Sequence, residues 1–166
     1  MLELIFKPRC EIPVMISVTP GVGKSYVTER RTIGEAEITL FAGLTGDYHP
    51  AHTDEIYAKS TKFGRRMAHG MLTISLSQGL ITPTELRSSI LALVGLGSVK
   101  FLSPVYPRDI IWLRFTIVSR RRSSSKPELC FMTVSNEVFK GTDGDNPEKV
   151  LEYKSTYLVL EELCQD

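Results

Sequence analysis

The chain has 166 residues, 42% of them hydrophobic and 23% charged, which suits one globular domain with a core and is too little for two. The 20 Lys and Arg against 19 Asp and Glu leave a formal charge of +1, so no global field draws the chain to nucleic acid or to an anionic membrane. No apolar run reaches the roughly 18 residues of a membrane-spanning helix, and Cys10, Cys130 and Cys164 show no CxxC spacing, so neither a disulfide framework nor a zinc knuckle is suggested and a reducing cytoplasm is the expected setting.

Residues 1–20 contain Pro8, Pro13 and Pro20 and read as an irregular N-terminal arm, because each proline removes a backbone donor. The domain proper is expected over 21–166. Charged residues and Pro8 interrupt the opening "MLELIFKPRCEIPVM", which makes it a poor secretory signal. "PGVGKS" has Val18 where a phosphate loop of the form GxxxxGK[ST] needs its first glycine, so it reads as a glycine-rich turn. "KSYVTERRTI" (Lys24 to Ile33) is β-rich and partly alternating, which predicts a first strand. In "TIGEAEITLFAGLTG" the period changes. Ala36, Ile38, Leu40, Phe41 and Leu44 share a helix face that starts near Thr32 or Gly34 and closes at Gly46.

A second short helix is expected in "TDEIYAKSTKFG", with Thr53 as N-cap, Asp54 and Glu55 in the first turn where the dipole favours negative charge, and Gly64 as its end. "HGMLTISLSQGLI" (His69 to Ile81) is apolar nearly all round, the pattern of a buried helix. Four strands follow in "SSILALVGLGSVKFLSPV", "DIIWLRFTIVSRR", "ELCFMTVSNEVFKG" and "KVLEYKSTYLVLEE", separated by turn-rich links. Short links between successive strands imply a largely antiparallel sheet. The expected plan is α+β: one antiparallel sheet wrapped around one central apolar helix. The Arg120–Arg122 cluster in "RRRSSS" reads as a solvated hairpin tip, with a grip on an anionic cofactor tail as the alternative.

The stretch "LTGDYHPAHTDE" gathers Asp47, His49, His52 and Asp54 within eight residues. A metal site would need these groups to converge, but Pro50 disfavours helical geometry at His49, and no cysteine is near. Metal is therefore not expected. An acid/base site asks for less: a carboxylate and an imidazole facing one water, beside a donor for developing negative charge. Asp47 follows the helix-closing Gly46, and His52 lies five residues on, past a turn stiffened by Pro50. Spacing alone leaves open whether Asp47 only caps the turn and His52 only packs. Gly70, in "AHGM", stands at a helix N-terminus and offers an unobstructed N–H toward a thioester or enolate oxygen, or else it merely allows close packing.

"FAGLTGDYHPAHTD" followed by "AKSTKFGRRMAHGML" resembles the hydratase signature of the MaoC-like (R)-specific enoyl-CoA hydratases, densely from about Phe41 to Leu72. The resemblance implies a hot-dog fold, in which the helix from Gly70 lies inside the curled sheet, and a homodimer joined sheet edge to sheet edge. It implies reversible syn hydration of a trans-2-enoyl thioester to the (3R)-3-hydroxyacyl thioester, with Asp47 and His52 holding the water and the Gly70 N–H binding the thioester oxygen. The partner is then an acyl-CoA or acyl carrier protein thioester, and no cofactor beyond that carrier is needed. Two departures stand out. His49 occupies a position where the family often has asparagine, and Gln78, next to Ser77, occupies the place of a serine that supports the site in some members. His49, Ser77 and Gln78 are accordingly the candidates for a supporting layer. Two other classes remain as rivals: a hot-dog thioesterase, which would want a carboxylate on or beside the central helix, and a non-catalytic acyl-thioester-binding subunit.

Overall fold

The computed structural model describes residues 21–81, 90–141 and 146–160. The predicted N-terminal arm lies outside the described residues, as do parts of the links around the strands.

The predicted first strand is two short ones, β1 (Ser25–Val27) and β2 (Arg31–Thr32), both antiparallel to β4 (Ile110–Arg122). The glycine-rich turn ahead of β1 is pinned by the Gly23 N–H donating to Ile117 O at 2.8 Å. Helix α1 (Glu35–Thr45) follows with Gly34 as N-cap, whose N–H donates to the Glu37 carboxylate at 2.7 Å. This one-way half of a capping box satisfies the N-cap N–H, while the other half is missing because glycine has no side chain to accept from the first turn. Gly46 ends α1 at φ 75°, a left-handed conformation that costs glycine nothing.

Between α1 and the central helix lie α2 (Pro50–Thr53) and α3 (Glu55–Ser60). Here the expected cap is corrected. Thr53 belongs to α2, and Asp54 caps α3, its carboxylate accepting from Ile56 N at 2.8 Å and Tyr57 N at 3.0 Å. Pro50 splits the segment by starting a helix of its own, since its missing N–H is harmless at a first helical position.

Helix α4 (Gly70–Ile81) is followed by β3 (Ile90–Phe101), β4, β5 (Leu129–Lys140) and β6 (Glu148–Leu160). The sheet order is β1-β4-β5-β6-β3 with β2 also on β4, and every pairing is antiparallel. Alternation sends Ile111, Leu113, Phe115 and Ile117 of β4 inward, matched in register by Val138, Asn136 and Val134 of β5 and by Tyr153 and Ser155 of β6. They meet Leu72, Ile74 and Ile81 of α4 in a single core. Helix α4 is not buried all round as its composition suggested: Met71, Ser75 and Gly79 face outward. Arg120–Arg122 are the last residues of β4, with the Arg121 guanidinium 4.8 Å over the Phe131 ring, and the hairpin tip is 123–128. Cys130 is fully buried in the core; Cys10 and Cys164 lie outside the described residues. On the outer sheet face an ion-pair ladder crosses four strands through Arg114, Glu137, Lys149, Glu152 and Lys100, at 2.8–3.1 Å per step.

Candidate active site

Three chain segments meet at one end of α4. The loop closing α1 carries Asp47, α2 carries His52, and the extended run before α4 carries Met67, Ala68 and His69. All of them line a cavity of about 710 Å³ with Gly70, Phe101 and Val105.

Asp47 is exposed, and its carboxylate accepts the His49 N–H at 3.2 Å. His49 has the extended backbone expected before proline (φ −54°, ψ 133°) and caps α2, its Nδ1 accepting from Ala51 N at 3.2 Å. The residue that resembled a metal ligand is a local cap, with its ring centroid 6.0 Å from that of His52.

His52 is half-buried, and its Nδ1 lies 2.8 Å from the Met67 carbonyl oxygen. A carbonyl can only accept, so Nδ1 carries the proton and Nε2 is left as the basic nitrogen. Burial lowers the His52 pKa from its ordinary value, and nearby His69 lowers it further, while the Met67 carbonyl and Asp47 act in the opposite sense. The lowering prevails, so His52 is a neutral base at pH 7.

Gly70 opens α4, so its N–H has no intrahelical acceptor and the positive end of the helix dipole lies behind it. A Cβ at this position would come within 2.7 Å of Cε1 of Phe101, so any larger residue has to push that ring aside.

Sequence reasoning missed His69, which figured only as the first residue of the central-helix segment. It is 2% exposed, its Nε2–H donates to the Asp47 carbonyl at 3.0 Å, and its ring stacks on His52 at 3.8 Å between centroids. The signal was its place directly before the helix-opening glycine, but no sequence pattern tells which loop such a side chain touches.

Ser77 and Gln78 take another direction. Ser77 donates to Ile74 O at 2.8 Å and so accepts from the Tyr153 hydroxyl at 2.8 Å. Gln78 donates to Tyr153 at 2.7 Å and accepts from the Tyr157 hydroxyl. Neither lines the cavity. They tie α4 to β6, two turns along the helix from Gly70.

Asp47, His52 and His69 offer donor atoms all within 4.8 Å of one another, which invites a cation. A tetrahedral zinc shell with bonds of about 2.0–2.1 Å wants donors about 3.3 Å apart. Two of the four ring nitrogens are already committed to carbonyls, and the rings stack at 31° rather than pointing edge-on to one centre. The arrangement suits proton handling better than a closed metal shell.

The MaoC like domain model matches residues 17–140. An (R)-specific enoyl-CoA hydratase of Rhodospirillum rubrum is 34% identical over 129 residues, covering 78% of this chain and 81% of that protein. Protein MaoC of Klebsiella aerogenes is 42% identical over 94 residues, 57% of this chain; the chain spans only 28% of that protein's length. Among solved structures, a monoamine oxidase regulatory protein from Archaeoglobus is superposable with a TM-score of 0.75 at 31% identity, covering 84% of this chain and 90% of that one. The architecture is a hot-dog fold, a helix held in a curled antiparallel sheet.

Proposed function

The chain belongs to the MaoC-like dehydratase family, and from that premise we propose that it catalyses reversible syn hydration of a trans-2-enoyl thioester to the (3R)-3-hydroxyacyl thioester. The observation that carries the reading is the convergence of a carboxylate, an imidazole with a single basic nitrogen and a helix-opening N–H on one cavity.

In this reading a water sits between the Asp47 carboxylate and Nε2 of His52. Its oxygen adds to C3 as the pair removes one proton, and a proton is delivered to C2 on the same face. As C3 is attacked, negative charge grows on the thioester oxygen, where the Gly70 N–H and the α4 dipole oppose it. Dehydration is the same path reversed. The acyl carrier is CoA or acyl carrier protein, and the residues facing the cavity supply acid/base and hydrogen-bonding groups sufficient for this chemistry.

Asp47→Asn or His52→Ala is expected to leave a folded protein whose crotonyl-CoA hydration, followed by loss of the conjugated enoyl absorbance, falls at least about a hundredfold. Unchanged turnover in either variant overturns the assignment. A thioesterase reading finds less support, because α4 carries no acidic residue.

The working unit in this proposal is a homodimer. β3 is the end strand of the sheet and exposes Leu91, Leu93, Val94, Leu96 and Val99. A long apolar edge is a hazard unless another strand covers it. Light scattering on the wild type and on Leu93→Lys tests this: the first should run as a dimer and the second as a monomer.

A further inference from the structure

The four residues Met67–Gly70 reach every component of the site. The Met67 carbonyl takes the His52 Nδ1–H at 2.8 Å, the His69 ring takes up Asp47 and His52, and the Gly70 N–H opens into the cavity. Ala68 anchors the run to the sheet, its N–H donating to Val105 O at 2.7 Å. Within this run His69 is the member whose side chain touches both halves of the acid/base pair. Its Nε2–H holds the Asp47 main chain at 3.0 Å, one ring face lies 3.8 Å from His52 at 31°, and the Phe41 ring stands 5.1 Å away.

Neither partner is well fixed by its own element. Asp47 is exposed in a loop, beyond the left-handed end of α1. His52 rides on a helix of four residues, too short to be rigid by itself. The relative position of the two groups therefore depends on what spans them. We propose that His69 is a positioning residue of the hydration site, joining the Asp47 loop to the face of the His52 ring so that carboxylate and Nε2 address one water. The proposal rests on the hydratase reading. It accounts for a buried imidazole whose Nδ1 has no hydrogen-bond partner among the described residues: the ring is kept for its Nε2–H and its flat face, at the expense of an unsatisfied nitrogen.

The two contacts are separable by substitution. His69→Phe keeps a flat ring against His52 and loses the donor to Asp47; His69→Gln keeps an N–H near the place of Nε2 and loses the stack. His69→Ala loses both. Misplacing a catalytic group by about 1 Å costs on the order of a hundredfold, so His69→Ala is expected to lower kcat by about 30- to 100-fold with KM within about threefold. The Phe and Gln variants should each recover part of that loss. Combined with Asp47→Asn, His69→Ala should add almost nothing, because residues acting as a unit are not additive.

A lowered unfolding midpoint with wild-type kcat in the folded Phe and Gln variants would show a purely structural role and overturn the proposal. Should the wild type fail to hydrate enoyl thioesters at all, the hydratase reading falls, and the positioning claim is judged by long-range proton–nitrogen spectra of the histidine rings. The wild type must show His69 protonated on Nε2 and His52 on Nδ1, and His69→Phe, which loses only the donor to the Asp47 carbonyl, must shift or broaden the backbone signals of Asp47 and its loop while the His52 proton stays on Nδ1. A wild-type proton on His69 Nδ1, or unchanged Asp47 signals in the variant, refutes it.

Discussion

Gly70→Ala puts the smallest perturbation at the most crowded point of the site. The new methyl would lie 2.7, 2.9 and 3.1 Å from Cε1, Cζ and Cδ1 of Phe101, against a favourable carbon–carbon separation of about 3.5–4.0 Å. The ring must therefore withdraw by about 1 Å. Phe101 is 55% exposed at the end of β3, so it has room to swing, and the stability cost should stay near 1 kcal/mol, the lower end of the overpacking range. The functional cost should be larger, because the methyl and the shifted ring crowd the N–H that the proposal assigns to the thioester oxygen. Disturbing such a donor is worth about 2.7–4 kcal/mol, or a 100- to 1,000-fold loss in kcat. Initial rates of crotonyl-CoA hydration for Gly70→Ala, Phe101→Ala and the double variant decide the matter. Phe101→Ala alone should lose less than about tenfold, and the double variant should recover at least about tenfold over Gly70→Ala, since the clash is gone. A Gly70→Ala enzyme with wild-type rate refutes the oxyanion role. A double variant no better than Gly70→Ala refutes the clash as the cause.

Other consequences are measurable by unfolding and by pH. Tyr153→Phe removes the hydroxyl that donates to Ser77 and accepts from Gln78, while Ser77 keeps its bond to the Ile74 carbonyl, so it should lower the urea-unfolding free energy by about 1–3 kcal/mol without touching the cavity; a loss under about 0.5 kcal/mol contradicts the hydrogen-bond assignment. Asp54→Ala removes the α3 cap and should cost about 1 kcal/mol, read from the same titration, whereas Thr53→Ala should cost less. The His52 pKa is lowered, chiefly by burial, so the unfolded chain binds its proton first as pH falls. The resulting stability is present above the ordinary histidine value of 6.5 and is lost below it, and kcat/KM, which follows the free enzyme, should fall on an acid limb lying below 6.5; a limb above 6.5 contradicts the burial argument. Hydrogen bonds from Lys149 and Lys100 hold Glu152 at about 2, so its contribution is present above the unfolded value of 4.5 and disappears as pH falls from 4.5 toward 2. Glu152→Gln should flatten that part of the acid-unfolding curve, most visibly at low salt.

Much of the fold could be read along the chain because its causes are local. Gly34 and Gly46 bound α1 as the pattern required, and β-branched and aromatic enrichment between turn-rich links marked out β3 to β6 and their antiparallel pairing. The spacing Asp47-x-x-Pro50-x-His52, with the glycine before α4, identified the parts of the candidate site, since proline and glycine act on their immediate neighbours. Failures came where two local rules competed. Thr53 and Asp54 are both good caps, and the choice fell to Asp54 because Pro50 had already claimed Thr53 for α2.

What the sequence determined by itself was which residue types stand at helix ends and strand faces, and that a carboxylate, an imidazole and a free N–H lie close along the chain. The tertiary structure decided what each of them faces. His49 turned to cap its own helix, Ser77 and Gln78 turned to Tyr153 and Tyr157 more than seventy positions away, and His69 crossed 22 positions to the carbonyl of Asp47. Helical and strand periodicity fixes the face a side chain lies on. The partner opposite that face is set by how the curled sheet seats α4, and only packing resolves that.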